Sequence, residues 1–202
     1  MKNLYPAMLN LKGRTALVVG GGKVAERKMN ALIDAGAEVV VVAPNVTEAI
    51  GDLARKKAVR WIRRRFSSHM AAGAFLIIAA TNDRQVNQEV AVVAGPNKLI
   101  NITDDPERST YHVPSVIRRG RLCITVSTGG ASPKLARKIR DEIAAGYSAD
   151  YEEYMEFLFE KRKEIKQKIS NPEYKQHLLA ALLDERFIRC DDREAEFRKL
   201  LE

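Results

Sequence analysis

Cysteine is scarce in this chain: Cys123 and Cys190 are its only two, one in an apolar strand-like run and one in a charged tail, with no Cys-x-x-Cys and no Cys/His pair at metal-ligand spacing. A disulfide framework and a structural zinc site are thereby excluded as organising devices, and two unpaired thiols are expected. Long apolar runs are equally missing. No stretch approaches the roughly 20 residues of a membrane-spanning helix. The start, Met1-Lys2-Asn3-Leu4-Tyr5-Pro6, lacks the apolar run and small-residue cleavage site of a secretory signal. A soluble, cytoplasmic protein without a membrane partner is the expectation. The basic clusters at Arg60, Arg63, Arg64 and Arg65 and at Arg118, Arg119 and Arg121 come without a nucleic-acid reader motif, so nucleic acid is not the expected partner.

What is present suits an ordinary globular chain. With 202 residues and 46% hydrophobic content there is material for one full domain plus a smaller appendage. The net charge of +8 is uneven: from Tyr151 onward there are 11 basic and 13 acidic side chains, so the whole positive excess belongs to the first 150 residues. Such a field draws anions toward a site, whether phosphates or a polycarboxylate metabolite, although a basic surface also simply keeps a protein soluble.

The run Thr15-Ala16-Leu17-Val18-Val19 is short and β-branched, as befits a strand buried on both faces of a parallel sheet. It ends in glycines, after which Val24, Ala25, Met29, Leu32 and Ile33 recur at helical spacing up to Ala35-Gly36. Glu38–Ala43 follows as a second buried strand, completing one βαβ unit in about 30 residues. A helix around Val46–Lys57, a strand at Val59–Ile62 and the very apolar strand Phe75–Ala80 continue the alternation. A helix over Asp83–Val93 and a fifth strand at Lys98–Ile102 complete it. This alternation predicts an α/β fold with a Rossmann-type, mostly parallel sheet. Residues 103–115 read as a loop at the carboxyl edge, where such sheets place ligands. Leu122–Ser127 is a further strand, and Ser132-Pro133 starts a helix expected to turn Leu135, Ala136 and Ile139 inward. Beyond Tyr147 the spacing of Tyr151, Tyr154, Met155, Leu158, Phe159, Ile165 and Ile169 is helical. Asn171-Pro172 opens another helix expected to bury Tyr174, Leu178, Leu179 and Leu182, so the C-terminal fifty residues form an all-helical module.

Four motifs carry candidate chemistry. Gly20-Gly21-Gly22-Lys23-Val24-Ala25 fits Gly-x-Gly-x-x-Ala directly after a strand and at the mouth of a helix. Gly20 would allow the tight turn, Gly22 a close approach of backbone to a pyrophosphate, and Ala25 close helix–sheet packing. The acid that usually binds ribose at the end of the second strand is absent. Val42-Ala43-Pro44-Asn45 stands there, leaving Asn45 or backbone groups for the task, with NAD favoured over NADP. Ala80-Thr81-Asn82-Asp83 lies where loops contact the nicotinamide side, and it reads equally as a helix N-cap. In Asn101-Ile102-Thr103-Asp104-Asp105-Pro106 a carboxylate beside a nicotinamide is placed to take a proton as a hydride leaves, provided burial or its neighbour prepares it, while paired aspartates before proline are also plain turn chemistry. Finally, Ser127-Thr128-Gly129-Gly130-Ala131-Ser132-Pro133 combines hydroxyls, glycines and a helix start, as an anion pocket or as a simple connection. Of the three histidines, His112 is the one placed to touch a substrate.

Together, Val18–Lys28, Ala79–Asp83, Val86-Asn87-Gln88, Asn101–Pro106, Val113-Pro114-Ser115 and Ser127–Pro133 resemble, in that order, the siroheme synthase N-terminal family over about residues 4–145. That family comprises precorrin-2 dehydrogenases, some of which also act as sirohydrochlorin ferrochelatases. The resemblance implies NAD-dependent dehydrogenation of precorrin-2 to sirohydrochlorin in siroheme (porphyrin-type tetrapyrrole) biosynthesis, and it leaves open a lyase step that inserts ferrous iron. It implies dinucleotide contacts at Lys23, Val24, Pro44 and Asn45 and a catalytic role for Asp104 rather than Asp105. It also implies substrate contacts from Ser127, Thr128 and Gly129, with Thr128 standing where some relatives carry serine. The carboxylates of precorrin-2 would meet Arg118, Arg119, Arg121, Lys134 or Arg137, and relatives are homodimers that share the site. A NAD-binding Rossmann domain is thus expected over 1–112, a dimerisation and substrate segment over 113–147 and a helical module over 148–202. With no methyltransferase domain following, a stand-alone enzyme is expected. No dedicated metal site is expected. The rival reading is a NAD-sensing regulatory module without turnover.

Overall fold

The computed structural model describes residues 4–95 and 97–201, which form two units, one over Leu4–Val113 and one from Pro114 onward. The first unit holds β1 (Thr15–Val19), α1 (Lys23–Asp34), β2 (Glu38–Val42), α2 (Glu48–Arg55), β3 (Arg60–Ile62), β4 (Leu76–Ala79), α3 (Arg84–Ala94) and β5 (Leu99–Ile102). All five strands pair in parallel in the order β3-β2-β1-β4-β5. The chain thus builds outward from β1 through β2 to β3, then returns to the other side of β1. The carboxyl ends of β1 and β4 therefore flank the topological switch point, where open α/β sheets bind ligands.

Both faces of this sheet are covered, which explains why its strands read as continuous apolar runs. Ala16, Val18, Val39, Val41, Leu76 and Ile78 face a cluster with Ala25, Met29 and Leu32 of α1 and Ile50 of α2. Leu17, Val19, Val40, Val42, Ile77, Ile100 and Ile102 face the opposite cluster with Val90 and Ala94 of α3. The one-residue alternation of a strand assigns each side chain to its layer. Thr47 caps α2, Asp83 caps α3, and the edge strand β5 is protected by side chains rather than by another strand. The Ile100 and Ile102 N–H groups donate to the hydroxyls of Thr110 (2.8 Å) and Ser109 (2.9 Å), which closes an otherwise open ladder.

The second unit contains β6 (Ser115–Arg119), β7 (Leu122–Val126), α4 (Pro133–Ala145), α5 (Asp150–Lys168), α6 (Pro172–Ala181) and α7 (Arg193–Leu201). Strand β7 was anticipated as a further strand; the structure pairs it antiparallel with β6, in a ribbon separate from the main sheet. β6 had no predicted strand; only its first residue, Ser115, falls in the segment expected to be a loop. Its turn signal is Gly120, the first of two turn residues, at φ +53°. A side chain there would also press on the Glu152 backbone of α5, at 3.2 Å from its carbonyl oxygen.

The helical spacing located the C-terminal helices but misjudged some of their faces. Leu135 is 48% exposed because the buried stripe of α4 runs through Ala136, and Leu135 lies about 100° away from it. On α5 Tyr154 is buried as expected and Phe157 packs beside it, stacked on Phe187 at 5.7 Å and edge-on to Phe197, whereas Phe159 is exposed beneath the Arg121 guanidinium. Tyr174 is exposed, while Leu178 and Leu182 are buried as expected. Lys161 enters this core with its Nζ on Glu194 (2.6 Å) and Glu164 (3.0 Å). Burial opposes its charge, but the two carboxylates more than offset that and leave its pKa above the ordinary lysine range. Both cysteines are free, and no described helix is long and apolar enough to cross a membrane.

Ile77 has no exposed surface and lies at the centre of the sheet. Ile77→Ala is expected to cost about 2–5 kcal/mol in urea unfolding, against a change within about 0.5 kcal/mol for the exposed Val92→Ala.

Candidate functional site

The glycine turn after β1 is held by two contacts that leave no room for side chains. Gly20 has φ +122°, and a Cβ on it would lie 2.2 Å from the carbonyl oxygen of Ala80, at the end of β4. A Cβ on Gly21 would lie 2.1 Å from the carbonyl oxygen of Asn45, beyond β2. The Gly20 N–H donates to Val42 O, and the Gly21 carbonyl accepts from Thr47 N, so the turn is tied to β2 and to the start of α2. Gly22 is different: it is the N-cap of α1, no side chain caps the helix there, and nothing stands within 4 Å of the Cβ position. The uncapped N–H groups of Lys23 and Val24 therefore face open space at the positive end of a helix dipole, as a diphosphate requires. Ala25 is fully buried against the sheet. The tight turn expected at Gly20 and the close helix–sheet packing expected at Ala25 are seen, and the requirement at Gly21 was not anticipated. Its signal was a third consecutive glycine where the pattern asks for two.

One acidic side chain lies in this anion site, and it is occupied elsewhere. Glu26, in the first turn of α1, accepts a hydrogen bond from the Thr47 hydroxyl at 2.6 Å, and Thr47 in turn caps α2. Pro44 and Asn45 are exposed just past β2, on the side where an adenosine ribose would lie.

At the ends of β4 and β5 a second group gathers around Asn87, which is 1% exposed. Its Oδ1 accepts from the Thr81 N–H (3.2 Å) and the Thr81 hydroxyl (2.8 Å), and its Nδ2 donates to the Thr81 carbonyl (3.2 Å) and to Asp104 Oδ1 (2.8 Å). Thr81 and Asp104, singled out separately in the sequence, are thus brought together by a residue that had no assigned role. The available signal was an asparagine on the buried stripe that continues at Val90 and Ala94. The two adjacent aspartates divide their duties. Asp105 caps the short turn Pro106–Arg108, accepting from Arg108 N at 3.2 Å, whereas Asp104 is exposed beside a shallow hollow lined by Arg84, Gln88, Ile102 and Arg108. The burial that would prepare Asp104 to take a proton is not present in the chain itself.

Behind this group Lys28 of α1 donates to Asn101 Oδ1 at 2.7 Å, and the Asn101 amide donates to the Tyr111 carbonyl. Burial, with Arg27 alongside, holds the Lys28 amine below the ordinary lysine pKa. The Tyr111 hydroxyl is buried without a hydrogen-bond partner among the described residues, and burial pushes its pKa upward. His112 follows, half-buried.

Ser127, Thr128 and Gly129 belong to the second unit. There the Thr128 hydroxyl donates to the Ser132 carbonyl and accepts from the Ser132 N–H, each at 3.1 Å, and Ser127 Oγ accepts from Gly129 N. The hydroxyls shape the loop, and Gly129 and Gly130 take positive φ within it. Among the basic residues, Arg121 is committed to Glu156 through two nitrogens and Arg119 donates to the Tyr147 carbonyl. Arg118, Lys134 and Arg137 are exposed and make no ion pair among the described residues. No three described His, Cys, Asp or Glu side chains gather as a metal site.

Comparisons with known proteins cover the whole chain. Residues 7–115 match the NAD(P)-binding family model, residues 119–145 the model for the sirohaem biosynthesis protein central region, and residues 151–195 that for the SirC C-terminal domain. The chain is 33% identical over 199 residues to a precorrin-2 dehydrogenase of Priestia megaterium, covering 98% of each. It is 30% identical over 160 residues to a precorrin-2 dehydrogenase of Bacillus subtilis, covering 79% of this chain and 99% of that one. A siroheme synthase of Aeromonas hydrophila is 39% identical over 141 residues, which span 30% of that longer protein. The solved structure of SirC, precorrin-2 dehydrogenase, superimposes with a TM-score of 0.86 at 32% identity, covering 98% of this chain and 99% of that one.

The two kinds of glycine contact are separable by substitution. Gly21→Ala is expected to cost more than about 2 kcal/mol in urea unfolding, because backbone must move on both sides of the contact. Gly22→Ala is expected to unfold within about 1 kcal/mol of the parent while weakening NAD binding, read by fluorescence titration.

Proposed function

This chain belongs to the precorrin-2 dehydrogenase family, and on that premise we propose that it oxidises precorrin-2 to sirohydrochlorin with NAD as acceptor, using Asp104 to take the proton. The observation that carries the reading is the end-to-end relation to a precorrin-2 dehydrogenase, 98% of each chain, joined to a Rossmann site with its diphosphate seat open. NAD, when bound, supplies the acceptor for a hydride. The substrate thereby loses a hydride and a proton, two hydrogens in all. Backbone N–H groups at Gly22, Lys23 and Val24 hold the diphosphate, Pro44 and Asn45 line the adenosine side, and Thr81 meets the nicotinamide side. Gly20 contributes by the close approach that sets the turn.

Asp104 accepts the proton at its carboxylate as the hydride leaves. It is exposed in the free chain, so substrate itself supplies the cover that a proton-transfer site needs. His112 and the loop Ser127-Thr128-Gly129 bind substrate carboxylates. Because the Thr128 hydroxyl is spent on Ser132 and the Gly129 N–H on Ser127 Oγ, this loop acts through the Ser127 O–H. The exposed Arg118, Lys134 and Arg137 are the better candidates for the remaining carboxylates, since Arg119 and Arg121 are already engaged. The segment 113–147 contributes a dimer interface. A two-stranded ribbon has two free edges and is marginal alone, which favours a second copy against it. The protein works in the cytoplasm in this reading.

Anaerobic assay with enzymatically generated precorrin-2 and NAD, following NADH and sirohydrochlorin together, tests the activity. NAD binding without turnover would favour a sensing module instead. Ferrous or cobaltous ion added afterwards tests for metal insertion above the enzyme-free rate. Asp104→Asn is expected to lower kcat by about 10²–10⁴-fold with NAD affinity nearly unchanged, and wild-type-like turnover would remove Asp104 from its role.

A further inference from the structure

We propose that Asn87 is a positioning residue for the dehydrogenation: its buried amide donates to the Asp104 carboxylate and holds it at a set distance from the Thr81 loop. The inference rests on the reading of Asp104 as the proton acceptor. An asparagine amide has two acceptor sites and two donor hydrogens; here both hydrogens and one acceptor site are used outright, and the second acceptor site shares the Thr81 hydroxyl with the Asp83 carbonyl. The amide cannot turn over, because that would set its NH₂ against the Thr81 N–H. Thr81 therefore determines that Asp104 meets Nδ2, a donor and nothing else. A donor-only partner stabilises the ionised carboxylate and offers nothing to the protonated one. The same amide ties the end of β4, where Thr81 sits, to the end of β5, where Asp104 sits.

A purely structural role does not account for this arrangement. The cap of α3 is already provided by Asp83, whose carboxylate accepts from Gln85 N and Val86 N. Asparagine is a poorer helix former than alanine, and Asn87 occupies a helical position on a stripe otherwise filled by Val90 and Ala94. Of its four hydrogen bonds, the one to Asp104 is made to a charged group and is one of the two shortest, at 2.8 Å. The other charged groups about Asp104 are Arg84 of α3 and Asp105 and Arg108 of the following turn, with Asp105 engaged by Arg108.

The test is the pH profile of kcat for the full chain with NAD and precorrin-2 under anaerobic conditions, for wild type, Asn87→Ala and Asn87→Asp. Asn87→Asp nearly preserves size and keeps an acceptor for the Thr81 N–H, so it guards against a variant that fails to fold. Melting curves and NAD titration report fold and cofactor site separately. Both variants are expected to bind NAD within a few-fold of wild type and to lose about tenfold or more in kcat. The acidic limb of the profile should move to higher pH, by roughly one unit for Asn87→Ala through the lost hydrogen bond, and further for Asn87→Asp through the added like charge. A folded, NAD-binding variant whose acidic limb stays at the wild-type position would overturn the proposal, whatever its plateau. Asp104→Asn separates the two claims: full turnover in that variant removes the proton-acceptor reading itself. Loss of turnover there, with an unmoved limb in the Asn87 variants, removes only the positioning role.

Discussion

The site is built around a close approach of backbone to backbone. Gly20 lies against the Ala80 carbonyl and Gly21 against the Asn45 carbonyl, each closer than any side chain permits. These contacts bring the carboxyl ends of β2, β1 and β4 together at the point where the sheet reverses direction. Only with this pinch does α1 start beside the sheet edge with its N–H groups free, and only then does the Thr81 loop border the same space. The open start of α1 and the Thr81 loop beside it are consequences of one steric constraint.

The polar groups around this pinch are distributed so that few are left to compete with a ligand. Glu26, in the first turn of α1, accepts a hydrogen bond from the Thr47 hydroxyl, which holds its carboxylate toward the start of α2. Asp105 is consumed by its own turn. Asp104 keeps an exposed carboxylate beside a hollow edged by arginines.

Much of the fold was legible in the chain because its signals are local. Continuous β-branched runs separated by helical periodicity announce a parallel sheet covered on both faces, and the structure has five such strands in the expected order along the chain. The Gly-x-Gly-x-x-Ala spacing, the Ser132-Pro133 helix start and the paired aspartates were likewise visible. Less legible were faces and partners. Leu135 and Phe159 satisfy helical spacing yet point outward, because neighbours one position away, Ala136 and two away, Phe157, meet the packed surface instead. The pairing of β6 with β7 escaped notice because a five-residue strand with two arginines carries a weak apolar signal.

By itself the sequence determined where the elements lie, that a dinucleotide turn follows the first strand, and which family's motifs the chain carries. Sterics and periodicity act between residues a few positions apart, and the chain records them directly. The tertiary structure decided which of the candidate polar groups act together. Asn87 meets an aspartate 17 residues away and Lys28 meets an asparagine 73 residues away, pairings that depend on strand order and helix rotation. Nothing in the local pattern specifies a hydrogen bond between side chains that only the assembled sheet brings within reach.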